Sequence, residues 1–276
     1  MVGVVQLVRA PDCGSGGRGF EPHLPPSKGL QRMELQAFFI HVAFFVYFCI
    51  MIEVEICCNS RASAVAARDG GARRIELCRD LECGGLTPMD SDIEYCTRVL
   101  ELRTHVLVRP REGDFVYTPS EIEEILSSIR RCRRLGAAAV VVGFLTVDGR
   151  VDVELTRRAV ESAQGMEVTF HRAFDEALQE PLEALRAIAA CGCHRLLTSG
   201  QMPTALEGTD VIRRLVGATN VKILAGSGVT PANVRRLIET TGVGEVHGSC
   251  KTTLPDGTRQ TDVAQVRQLI ENISDL

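Results

Sequence analysis

Cysteines and ionisable side chains recur at the ends of short β-branched runs in this chain, and chemistry is expected there. Cys57 closes the run Ile52–Cys57, and Cys78 closes Arg74–Cys78. Side chains alternate along a strand, so Cys57 shares a face with Glu53 and Glu55, and Cys78 shares one with Arg74 and Glu76. Thiolates are the ligands that select Cu(I) over harder ions, and two of them hold it at low coordination. A copper ion, as Cu(I), is therefore one candidate partner of Cys57 and Cys78 on these residues alone. The plainer reading is that both are small buried apolar side chains. There is no CxxC motif and no histidine spacing of a structural zinc site.

A second set of residues suits an anion. AGSGVTPANV places Gly226, Ser227 and Gly228 between a seventh run and a following helix, where backbone amides can hold a phosphate. Ser249, in the sequence His247–Ser249, and the guanidinium of Arg109 could complete such a cup. If the protein is an enzyme acting on a small phosphorylated or carboxylated substrate, His171 is its acid/base. Glu76 or Glu167 would then be the partner of His171. Whether it catalyses any reaction is left open by the residues, and a role as a scaffold is a third reading.

The elements that position these residues follow a rhythm. The runs Ile52–Cys57, Arg74–Cys78, His105–Arg109, Ala139–Gly143, Glu167–His171, Arg195–Ser199, Val221–Ala225 and Glu245–Ser249 alternate with helical patterns. Those patterns include Pro119–Leu135, Pro181–Ala190 and Pro231–Thr240, each opening on a first-turn proline. Strand and helix alternating eight times predict an α/β fold, an eight-stranded parallel β/α (TIM) barrel; a doubly wound open sheet is the alternative. Helices cover the outer face, so the polar face of each strand must point inward. Glu53, Glu55, Arg74, Glu76, Glu167, Lys222 and Glu245 are thus expected to line the barrel as compensated pairs, because buried charges need partners. Such a network can be purely structural, or it can floor a polar cavity at the C-terminal rim.

Composition narrows the setting. The chain has 276 residues and a formal net charge of −4, which offers no electrostatic footprint for nucleic acid or an anionic membrane. Its 11 cysteines, in a long chain rich in regular elements, point to reduced thiols in the cytoplasm rather than a disulfide framework. Residues 1–50 differ from the rest, with Phe38, Phe39, Phe44, Phe45, Tyr47 and Phe48 close together. The apolar run Ala37–Ile52 is shorter than the roughly 20 residues a spanning helix needs. VVQLVRAPDCGSGGRGFEP resembles the translation of a transfer-RNA gene, whose T-arm reads as Gly19–Pro22. Residues 1–50 are accordingly expected to be a spurious or disordered extension, with the folded part, residues 51–276, starting at Met51.

From there onward the chain resembles one family. EICCNS (Glu55–Ser60), IELC (Ile75–Cys78), GGLTP (Gly84–Pro88), RPREGDF (Arg109–Phe115), FHRAFD (Phe170–Asp175), LTSG (Leu197–Gly200) and EVHGS (Glu245–Ser249) are similar to the motifs of the CutC copper-homeostasis family. The resemblance implies a β/α barrel, a cytoplasmic homo-oligomer, and Cu(I) binding with Cys57 and Cys78 at the family's copper-associated positions. The chain departs from the usual pattern at Cys250, where relatives carry alanine, and at Glu112, where they carry glycine.

Overall fold

The computed structural model describes residues 52–255 and 257–276. The readings of residues 1–50 and of Met51 as the start lie outside the described residues. Eight strands close into one parallel barrel in sequence order: β1 (Glu53–Cys58), β2 (Arg74–Leu77), β3 (Arg103–Leu107), β4 (Ala139–Val142), β5 (Glu167–Phe170), β6 (Arg195–Thr198), β7 (Lys222–Gly226) and β8 (Glu245–Gly248). An α-helix follows each: α1 (Arg61–Asp69), α2 (Asp90–Glu94), α3 (Pro119–Arg134), α4 (Val153–Ala163), α5 (Pro181–Ala190), α6 (Thr209–Leu215), α7 (Val234–Thr241) and α8 (Val263–Glu271). The expected closed barrel is therefore the observed one, and the open sheet is excluded.

Local chemistry sets the helix boundaries. At α3 a capping box joins Thr118 and Glu121, and Pro119 takes the first turn. Ser60, Asp152 and Asp262 cap α1, α4 and α8 through their side-chain oxygens. The expected start at Pro231 is corrected. Asn233 accepts the Thr230 amide on Oδ1, which holds residues 230–233 in a turn and delays α7 to Val234. A short antiparallel hairpin, β9 (Lys251–Thr253) with β10 (Arg259–Thr261), occupies the connection after β8.

The alternation of side chains divides the core. Ile56, Cys58, Ile75, Leu77, Val106, Val140, Val168, Phe170, Leu196 and Val246 belong to one large cluster under the helices. Cys57, Cys78, Leu107 and Val141 form a separate small cluster, with Leu81 packed against it. Adjacent cysteines 57 and 58 thus fall on opposite faces of β1.

The interior beneath that small cluster is charged. Arg74 lies 2.9 Å from Glu55 and 2.7 Å from Glu245. Arg195 reaches Glu245 at 2.6 Å and Glu167 at 3.0 Å, and His105 Nδ1 lies 2.7 Å from Glu55. Glu55, Arg74, Glu76 and Glu245 are buried as the alternation requires. Arg195 and His105 are further members that the pattern did not single out. Two positions need correction. Lys222 is 61% exposed and reaches Glu245 only at 3.5 Å, because it opens β7 at the N-terminal mouth, where a lysine stem lets its ammonium stay in water. Glu53 opens β1 at the same end and is only half-buried.

Candidate metal centre

At the C-terminal end of the barrel lies a chamber of about 510 Å³. Cys57, Glu76, Cys78 and His247 line one side of it, and Arg109, Phe115 and His171 also contribute to the wall. Strand register brings the first group together. Cys57 pairs with Glu76 across β1 and β2, and Glu55 pairs with His247 across the closing seam of β1 and β8. Cys78 follows β2, and its amide is held by the Cys58 carbonyl.

The two expected thiols do converge: their sulfurs are 4.0 Å apart. Metal–sulfur bonds of about 2.3 Å span up to ~4.6 Å when opposed, so one ion fits between them. Two residues join Cys57. One oxygen of Glu76, one nitrogen of His247 and the Cys57 sulfur all lie within 4.8 Å of one another. His247 Nε2 is 3.5 Å from Glu76 Oε2, while its Nδ1 is 2.9 Å from Glu55 Oε1. A carboxylate behind an imidazole is the arrangement that orients a ligating histidine. The chemistry of this donor set, the Cys57 sulfur with one imidazole and one carboxylate and the Cys78 sulfur beside Cys57, fits a soft or borderline ion. Sequence reasoning placed His247 on the inward face but did not assign it to the metal. The signal was its position two residues after Glu245 on the strand that seals the barrel against β1.

Electrostatics bind this group into a unit. The Cys78 hydrogen bond and burial push the Cys57 thiol well up, and Glu76 adds to the effect. Burial raises Glu76, with Glu55 adding to it, against the pull of His247. Burial alone would also raise Glu55, but His105, His247 and Arg74 outweigh it and hold that carboxyl well below the usual range. Burial opposes a charged His247, yet Cys57, Glu55 and Glu76 together lift it well above its ordinary value.

The other expected site residues distribute differently. Glu167 does not meet His171. It opens β5 at the far end of the barrel, and its side chain lies against Arg195 and Arg103. Burial opposes its ionisation, but those two guanidinium groups hold it down at about 2. Glu76 belongs to the thiol cluster through His247 rather than to His171. His171 itself is 6% exposed, and the Ala173 amide donates to its Nδ1. The ring packs on Gly143, where an added Cβ would lie 2.3 Å from it.

The anion cup expected from Gly226, Ser227 and Gly228 is partly filled from within. Ser227 Oγ donates to the Pro203 carbonyl, Asn233 Nδ2 donates to the Gly228 carbonyl, and the Thr230 amide is spent on Asn233. Gly226 is a packing position: a Cβ there would meet Leu197 at 2.5 Å. Ser249 lines the chamber and accepts from Thr261 on its carbonyl. The motifs FHRAFD and LTSG form a clamp. The Asp175 carboxylate receives the Thr198 and Ser199 hydroxyls and the Ser199 and Gln201 amides, which fixes the end of β6.

Burial, then repulsion from Arg109, drive His171 down to about 3 from an ordinary value of 6.5. Between those values the unfolded chain binds a proton that the folded chain refuses, so stability rises with pH across that window. Stability is expected to fall as pH drops from 6.5 towards 3, and His171→Asn, whose Oδ1 can still accept the Ala173 amide, should flatten that part of the slope. Urea denaturation of both proteins at several pH values checks it; parallel slopes would contradict it.

Fold and site together define a parallel β/α barrel with a metal-competent thiol, imidazole and carboxylate cluster at its C-terminal end. The CutC family description matches residues 52–252, and the chain belongs to that family. A curated relative named family protein CutC from Bacteroides fragilis is 42% identical over 206 residues, covering 74% of this chain and 82% of its own. The Porphyromonas gingivalis protein of the same name is 42% identical over 210 residues, covering 75% and 84%. In the crystal structure of a Streptococcus agalactiae protein described as a copper homeostasis protein CutC, the match has a TM-score of 0.69 at 30% identity, covering 72% of this chain and 99% of that one. Among the described residues, no helix is long and apolar enough to cross a membrane.

Proposed function

We propose that this protein serves copper homeostasis by binding one Cu(I) between the thiolates of Cys57 and Cys78, in a reducing cytoplasm. The observation that carries this reading is the 4.0 Å approach of two buried sulfurs on the wall of the open chamber. The name of the Streptococcus agalactiae structure supports the choice of metal. All nine cysteines among the described residues are free thiols, which suits a reducing compartment. Copper is here the cargo. The residues of this chain must release the thiol protons, exclude competing harder ions and keep the sulfurs facing one another. The hydrogen bond with Cys78, burial and the carboxylate of Glu76 favour the neutral Cys57 thiol, so a bound cation must offset that preference. His247 and Glu76 stand close enough to supply a third donor.

The reading is tested by loading anaerobically purified protein with Cu(I) and recording metal content and X-ray absorption. The expected result is one copper per chain with two sulfur neighbours. A coordination shell without sulfur would overturn the proposal.

A further inference from the structure

We propose that the chamber beside the thiol pair binds a small organic oxyanion, a carboxylate or a phosphate monoester, on Arg109 and His171. This goes beyond the copper reading and does not depend on it.

The first observation is a buried cation without a counter-ion. Arg109 is 7% exposed. Its guanidinium donates to three carbonyls, those of Cys83, Gly85 and Gly113, and stacks 5.1 Å from the Phe115 ring centroid. The Tyr117 phenol also interacts with it, but its Nε has no acceptor within hydrogen-bond range among the described residues, and no carboxylate there forms an ion pair with it. The other buried arginines behave otherwise: Arg74 and Arg195 each touch two carboxylates. A protein that neutralises its deeper cations and leaves one at the rim with neutral partners holds a place for an external anion.

The second observation is independent of the first. His171 Nδ1 accepts the Ala173 amide, which leaves the ring proton on Nε2, and Nε2 is a buried donor with no acceptor among the described residues. Its ring lies 4.9 Å from Phe115, the same ring that Arg109 covers, so both donors flank one aromatic surface. Buried donors without acceptors are destabilising, and an oxyanion seated in the chamber that both residues line would bring acceptors to their side.

The third is the field. The chamber lining contains Arg109, Lys251 and Arg259, with Arg172 paired to Asp175, against a single lining carboxylate, Glu76, on a chain that is negative overall. Clefts lined by one sign of charge concentrate ligands of the other. Leu107, Phe115, Leu197 and Val229 supply apolar wall, so the ligand is an organic molecule rather than a bare ion.

Isothermal titration of the full chain with malonate and with inorganic phosphate tests this, using wild type, Arg109→Gln, His171→Asn and a Cys57→Ser, Cys78→Ser double variant. Wild type is expected to bind at least one probe, and which one separates carboxylate from phosphate. Arg109→Gln and His171→Asn should each weaken that binding tenfold or more, while the double cysteine variant keeps it. Arg109 also fastens two loops, so should its variant fail to fold, His171→Asn alone decides, since asparagine preserves the bond from Ala173. No binding of either probe by wild type, or undiminished binding by His171→Asn, would overturn the proposal. Loss of binding only in the cysteine variant would also overturn it, by placing the anion on the metal centre.

Discussion

Replacing Glu245 with glutamine is expected to lower the unfolding free energy by about 3–5 kcal/mol, the cost of breaking a buried charge cluster by removing one partner. Glu245 Oε2 accepts from Arg74 at 2.7 Å and from Arg195 at 2.6 Å, and both guanidinium groups are fully buried. Burial alone would raise this carboxyl, but Arg74 and Arg195 outweigh it and hold it below the ordinary range. The sign follows. Its contribution is present above the ordinary carboxylate value and is lost as pH falls through the lowered one. Lys222→Met is the control, because that ammonium is exposed and 3.5 Å from Glu245; it should change stability by about 0–1 kcal/mol. Equilibrium urea denaturation of the three proteins checks both expectations. A loss below about 1 kcal/mol for Glu245→Gln would mean that the interior charges are hydrated rather than mutually compensated.

Much of this interior is legible in the sequence because period-two alternation survives in every strand whose outer face packs under helices. Ile56, Ile75, Val168 and Val246 point outward for the same reason that Glu55, Glu76 and Glu245 point inward. Alternation states direction and not depth. Lys222 and Glu53 share the inward phase but sit at the strand starts, where water reaches them. Depth also explains Glu167. It shares its phase with His171, which directly follows β5, yet four residues at about 3.3 Å each separate the two ends of the barrel. His247 was the harder case. Its position two residues after Glu245 gives its inward phase, but its approach to Glu55 comes from register across the seam between the first and last strands. That no carboxylate among the described residues pairs with Arg109 is a property of three dimensions altogether, since its nearest acidic neighbours in sequence, Glu112 and Asp114, do not pair with it. The β9–β10 hairpin was missed because Lys251–Thr253 and Arg259–Thr261 are too short and polar to carry a periodic signal.

The second large effect concerns the thiols. Cys57→Ser and Cys78→Ser should each remove most Cu(I) affinity, since serine is nearly isosteric but a poor ligand for a soft ion. Cys58→Ser should leave affinity nearly intact. Its sulfur lies in the cluster under the helices, bonded to the Ile56 carbonyl, on the opposite face of β1 from the chamber. The contrast between adjacent cysteines separates a site from a general effect of thiol content. The most direct measurement is an anaerobic competition titration against a Cu(I) chelator, comparing wild type, Cys58→Ser and the Cys57→Ser, Cys78→Ser double variant. Wild type and Cys58→Ser are expected to withdraw one equivalent of copper from the chelator while the double variant withdraws none; equal withdrawal by all three would contradict a copper site at this pair.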